Sequence, residues 1–224
     1  MQLTVRKYGY LVLSMMLTCA SPLTARESTQ SWPDTVLSRT QALAELQTLN
    51  AQLLSHPSAT LTLEQWCAAH HLASQAKVVA HRVHGEDKPL PDGARALLGI
   101  GPGEPVRYRR VALSCGDVVL SDADNWYVPS RLTEDMNHQL DTSDVPFGKV
   151  VQPLHFRRQT LSADLLWSPL PEGWDSGTAL PPASDKPLTM PEHVLQHRAV
   201  LYTGSNQPFS LVVESYTSHV LIRP

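Results

Sequence analysis

The chain is poor in charge, in cysteine and in long apolar runs, and each shortage removes a class of protein. Charged residues make up 17% of its 224 positions, and the net charge is -3. No basic surplus calls for nucleic acid or an anionic membrane as partner. Three cysteines occur, with no CxxC and no ligand-spaced Cys/His set, which argues against a structural zinc site. His70 and His71 are adjacent, and adjacent residues on a helix point apart, so no joint metal site is expected there. No period suggests repeats. The length suits one sizeable core rather than two domains, and the 42% hydrophobic content suits a globular protein.

What is present begins with a targeting pattern. Arg6 and Lys7 precede an apolar stretch, Tyr8 to Thr18, too short to span a bilayer. Small residues follow, and cleavage after Ala20 or Ala25 would start the mature chain near Ser21 or Arg26. Residues 1–25 therefore read as an export signal and 26–224 as a single domain, periplasmic or secreted. A lipid anchor at Cys19 ranks second; the alternative to any targeting segment is an N-terminal helix of a cytoplasmic protein. No integral span is expected in the mature chain. Loss of Cys19 leaves Cys67 and Cys115. An oxidising compartment would permit their pairing. Their places, on an apolar helix and at a strand end, favour two free buried thiols.

The elements follow from periodicity. Leu43, Leu46, Leu49 and Leu53 mark a helix starting at Asp34 and stopped by Pro57. Thr62 with Gln65 suggests the cap of a second helix, which carries Trp66 and Cys67. Lys77 to Val83 reads as a strand, and Ala94 to Leu98 as a helical turn. Val106–Cys115 and Val118–Val128 form a hairpin about Gly116-Asp117, a pair suited to a type II′ turn. Thr133 to Leu140 and Pro146 to Val151 read as helices, and His155 to Gln159 as a strand. Trp167 to Pro191 dissolves into a loop or lid. Gln196–Thr203 and Pro208–Val220 make a last hairpin. Helices first and antiparallel hairpins later indicate an α+β fold, helices against one antiparallel sheet.

Two side chains stand out. Glu214 follows Leu211-Val212-Val213 on a strand that otherwise reads as buried. A carboxylate among branched apolar groups costs several kcal/mol unless paired; alternatively it points to water from a half-exposed strand. A regular register from Gly116-Asp117 sets Arg109 opposite Asp124 and Arg110 opposite Ala123. Arg109 then belongs to an exposed charge ladder. Arg110 rises from a floor of small residues, suited to gripping a carboxylate, or it answers Glu214 as a plain buried ion pair.

The run Arg110 to Asp117, then Trp126-Tyr127-Val128-Pro129, Pro146-Phe147-Gly148-Lys149, and Pro208 to Tyr216 resembles the chorismate pyruvate-lyase superfamily in order and spacing. That resemblance implies a single antiparallel sheet of about six strands with helices packed on it, enclosing a ligand cavity. It implies elimination of pyruvate from chorismate to give 4-hydroxybenzoate, without metal or organic cofactor. It implies that Arg110 grips the ring carboxylate, that Glu214 meets the ring hydroxyl, and that Phe147, Gly148 and Cys67 line the ligand. His197, or Arg198 after a one-residue slip, would stand opposite Glu214 and hold a second carboxylate. Phe147 stands in place of a usual leucine, and His197-Arg198 where the enzymes tend to have Trp-Gly-Arg-Arg.

Three functions are carried forward. The first is a lyase acting on chorismate or a related carboxylated cyclohexadiene. The second is a binding protein for a small aromatic acid, because related folds serve as effector-binding modules. The third is an envelope interaction protein using its Pro-rich loop. Oligomeric state is left open by the sequence.

Overall fold

The computed structural model describes residues 31–85 and 87–223; the expected export signal, including Cys19, lies outside them. In chain order the elements are β1 (Pro33–Asp34), α1 (Val36–Ser55), α2 (Ala59–Ala69), β2 (Val78–Val83), α3 (Ala94–Leu98), β3 (Arg107–Cys115), β4 (Val118–Tyr127), α4 (Glu134–Thr142), α5 (Phe147–Val150), β5 (Arg157–Leu165), β6 (Ser184–Pro187), β7 (His193–Tyr202) and β8 (Pro208–Thr217). Six strands form one sheet in the order β2-β3-β4-β8-β7-β5, every neighbouring pair antiparallel. No helix among the described residues is long and apolar enough to cross a membrane.

Leucine spacing on α1 puts Leu46, Leu49 and Leu53 on the stripe that meets the sheet, with Leu63 and Trp66 of α2 beside them. Together they cover Val111, Leu113, Leu195 and Tyr216. A second cluster joins Met136 and Leu140 of α4 to Phe147, Leu201 and Val212. The opposite face is capped at one end by α3, where Leu98 packs on Trp126 and Leu211. The rest of that face is polar: Arg110, Asp122, Asp124, Gln196 and Arg198 lie on it at alternate positions.

Several boundaries differ from expectation. The cap of α2 is Ser58, whose side chain accepts from Leu61 N, and Thr62 lies inside the helix. Strand β5 runs on to Leu165. The 167–191 segment is tied to the start of the described chain, and none of it lines the pocket described below: β6 pairs with β1, and Arg39 of α1 donates to the Pro181 and Pro182 carbonyls at 2.7 and 3.0 Å. The two ends of the described chain touch, since Trp32 Nε1 donates to Leu221 O at 2.8 Å and Arg223 lies over the Trp32 ring.

The largest correction concerns the first hairpin. Gly116 has a positive φ of 56° while Asp117 has none, as a type II′ turn requires. Cys115 pairs with Val118 as expected, but the register shifts between Leu113 and Ser114, leaving Leu120 as an extra residue on β4. Beyond the bulge Arg109 pairs with Asn125 and Arg110 with Asp124. The sides of β4 are exchanged relative to a regular register.

Cys67 and Cys115 are also not free. They form a disulfide with their Cα atoms 6.5 Å apart, within reach of ordinary bridge geometry. It fastens α2 to the end of β3.

Candidate functional site

Where the two core clusters meet on the helix side of the sheet, a pocket remains. Its floor is Arg109, Val111 and Leu113 of β3, Ala123 and Asn125 of β4, and Val212 and Glu214 of β8. Its roof is the start of α2, Ser58 to Thr60, with Phe147 and Gly148 of α5. The wall toward β5 is Phe156 and Arg158. The bulge explains the floor. It turns Ala123 and Asn125, not the aspartates, toward the helices, and so seats Arg109 over small neighbours.

Glu214 is 8% exposed and answered by Arg158, whose Nη2 lies 2.6 Å from its Oε2. Tyr216 OH donates to the same oxygen at 3.3 Å. Burial, then the Glu214 charge, pushes the Tyr216 pKa well above its usual value. Burial opposes the Arg158 charge, but Glu214 and Tyr216 outweigh it and raise its pKa. Arg109 donates through Nη2 to the Val145 carbonyl at 3.2 Å. Burial, reinforced by Arg82, lowers its pKa to about 10, leaving it cationic at neutral pH. The Nε atoms of Arg109 and Arg158 are buried and meet no acceptor among the described residues.

The space is small. The cavity volume is about 40 Å³, room for a few waters. A neighbouring hollow of about 180 Å³ shares Pro57, Ser58, Gly148 and Phe156 with it, so these four form the partition. At its centre Gly148 comes so close that an added Cβ would stand 3.3 Å from Ser58 Oγ. Lys149 of α5 grips Glu64 of α2 at 2.6 Å, tying the two halves of the roof together.

The residues expected from the sequence divide. Glu214, Phe147 and Gly148 line the pocket. Arg110 does not; it lies on the opposite face, beside a polar cleft with Arg82 and His84, because the β4 bulge gave the small floor to Arg109. Cys67 is fully buried and occupied by its bond to Cys115. His197 pairs directly with Glu214, although five residues, 203–207, separate β7 from β8, because the register shifts between Leu201 and Tyr202; it lies behind the pocket wall. Its Nε2–H donates to Asn50 Oδ1 at 2.8 Å. Burial, and then Arg158, lowers its pKa to about 4. Without a slip, Arg198 faces the other way, opposite Val213. Sequence reading missed Arg158 and Arg109. The signal for Arg158 was the buried acid itself, which demands a cation within reach but does not say from which strand.

Fold and site together define an α+β protein with an arginine-lined pocket between its sheet and the helices α2 and α5. The chain belongs to the family of the uncharacterised protein y4mC of Sinorhizobium fredii, with 57% identity over 206 residues, covering 91% of this chain and 87% of that protein. No family model matches it. Among solved structures it is similar to the effector domain of PhnF from Mycobacterium smegmatis, at 14% identity and TM-score 0.47, covering 72% of this chain and 89% of that one. It is also similar to YydK from Bacillus subtilis, described as a possible transcriptional regulator, at 17% identity and TM-score 0.37, covering 62% of this chain. The chain spans 58% of the YydK length.

Proposed function

We propose that the protein binds a small organic acid, the size of one carboxylated ring, in the pocket between α2, α5 and the sheet. The observation that carries this reading is the charge count of the pocket wall: two buried arginines, Arg109 and Arg158, against one carboxylate, Glu214. A buried N–H without an acceptor costs about 1–3 kcal/mol. A ligand carboxylate would relieve that cost at Arg109 through a charge-assisted hydrogen bond. The start of α2 adds the positive end of a helix. Glu214 is placed to accept from a ligand hydroxyl, and Phe147, Val111 and Val212 supply apolar contact for a ring. Such a ligand is larger than the space present, so binding requires the Ser58–Gly148 partition to part and join the two hollows. The Cys67–Cys115 bond supports export, because disulfides persist in oxidising compartments.

Turnover of chorismate is the second reading, favoured by an arginine and Glu214 lining one pocket. Arg158 already holds Glu214, which leaves that carboxylate less free for proton transfer and makes binding the stronger reading. One experiment separates them. The purified protein is titrated with 4-hydroxybenzoate by calorimetry and mixed with chorismate while 4-hydroxybenzoate absorbance is followed. Saturable binding without product is expected. Arg109→Ala should weaken binding by roughly 1.5–3 kcal/mol, and Arg110→Ala by less than about 0.5 kcal/mol. Product formation would establish the lyase, and neither binding nor product would overturn the small-acid reading.

A further inference from the structure

On the opposite face of the sheet, away from the pocket, three side chains converge. Asp122 comes from β4, His193 opens β7, and Glu192 directly precedes it. One donor atom from each lies within 4.8 Å of the other two. His193 Nε2 and Asp122 Oδ2 are 2.7 Å apart. We propose that Asp122, Glu192 and His193 bind a divalent transition ion, Zn²⁺ in preference to Mg²⁺ or Ca²⁺.

Neighbouring residues on a regular strand point to opposite faces, so Glu192 and His193 should not meet. Here the register of β7 shifts between His193 and Leu195. The Glu192 carbonyl is meanwhile held by Ser218 N at 2.8 Å. Glu192 lies just before the strand begins, so strict alternation does not bind it, and both side chains reach the same point. Strand β8 lies between the two contributing strands, and there Asp122 and His193 face Ser215 and Thr217. These short side chains leave the space above β8 clear. A His–Asp ion pair would explain two members of the group and leave the Glu192 carboxylate beside a second anion. A bound cation accounts for all three.

The donor set decides the ion. One imidazole and two carboxylates form a borderline N/O set suited to Zn²⁺, whereas Mg²⁺ and Ca²⁺ take oxygen alone. Donors about 2.1 Å from a tetrahedral ion stand roughly 3.4 Å apart, so the triangle must adjust rather than rebuild. Side-chain exposure of 24% for Asp122 and 27% for His193 leaves one side open for water as a fourth ligand.

The test is calorimetric titration of chelator-stripped protein with ZnCl2 and, separately, MgCl2. One equivalent of Zn²⁺ should bind with micromolar affinity, with no Mg²⁺ binding at the same concentrations. His193→Ala and Asp122→Asn should each lower Zn²⁺ affinity at least tenfold. His56→Ala, at the exposed end of α1, should leave it unchanged. Urea unfolding in chelator confirms that the variants fold, and two variants guard against the failure of one. The absence of a saturable equivalent, or an affinity that survives His193→Ala and Asp122→Asn, would overturn the site. Equal loss in His56→Ala would do the same.

Discussion

At the scale of single residues, the centre of the molecule is a chain of buried charge. Arg158 meets Glu214, Glu214 accepts from Tyr216, and His197 stands across from Glu214, fully buried and edge-on to the Tyr216 ring. His197 stays neutral in the fold down to a pKa of about 4, whereas in the unfolded chain it takes a proton near 6.5. Between these values the unfolded state binds the extra proton, so stability falls as pH drops. The loss should approach about 3 kcal/mol by pH 4. Urea unfolding at pH 7 and pH 4.5 should show it, and His197→Gln should flatten the difference. Glu214 was visible in the sequence because it interrupts an apolar strand. Its partner was not. Arg158 comes from β5, separated from β8 by β7, and linear spacing says nothing about which side chain reaches across an intervening strand.

At the scale of elements, most of the fold was legible. The stripe of α1, the turn at Gly116 and the existence of the last hairpin follow from periodicity and turn chemistry, while its His197–Glu214 pairing also needs the register shift at Leu201–Tyr202. One bulge undid the reading of the site. Leu120 is fully buried and carries no polar mark, so nothing in the sequence announces that β4 changes sides there. A one-residue shift exchanges every face beyond it, which is why Arg109 and not Arg110 looks into the pocket. The cap of α2 was misplaced for a related reason. Ser58 and Thr62 are both good caps, and local sequence does not choose between them. Ser58 also forms part of the partition against Gly148. Ser58→Ala should cost about 1 kcal/mol of stability by losing the cap, read as a lower denaturant midpoint. It should not weaken ligand binding, since it also removes the hydroxyl packed against Gly148.

At the scale of the whole molecule, floor and roof are separate pieces held by few fasteners. The Cys67–Cys115 bond joins residues 48 apart in sequence, a loop whose closure is worth about 4 kcal/mol on chain-entropy grounds. Reduction should lower the thermal midpoint and weaken ligand binding together, because the freed helix is the one whose start covers the pocket. Calorimetry and thermal unfolding with and without dithiothreitol would check both. Binding that is indifferent to reduction would mean that α2 keeps its place through packing alone. The sequence placed both thiols correctly but could not tell that helix and strand end would bring them together. The meeting of Trp32 with Leu221 and Arg223 bears on how this domain can be arranged in larger proteins. With the two ends of the described residues side by side, that span could be spliced into the surface loop of a host, or have its connectivity rewired around the circle, without stretching either backbone.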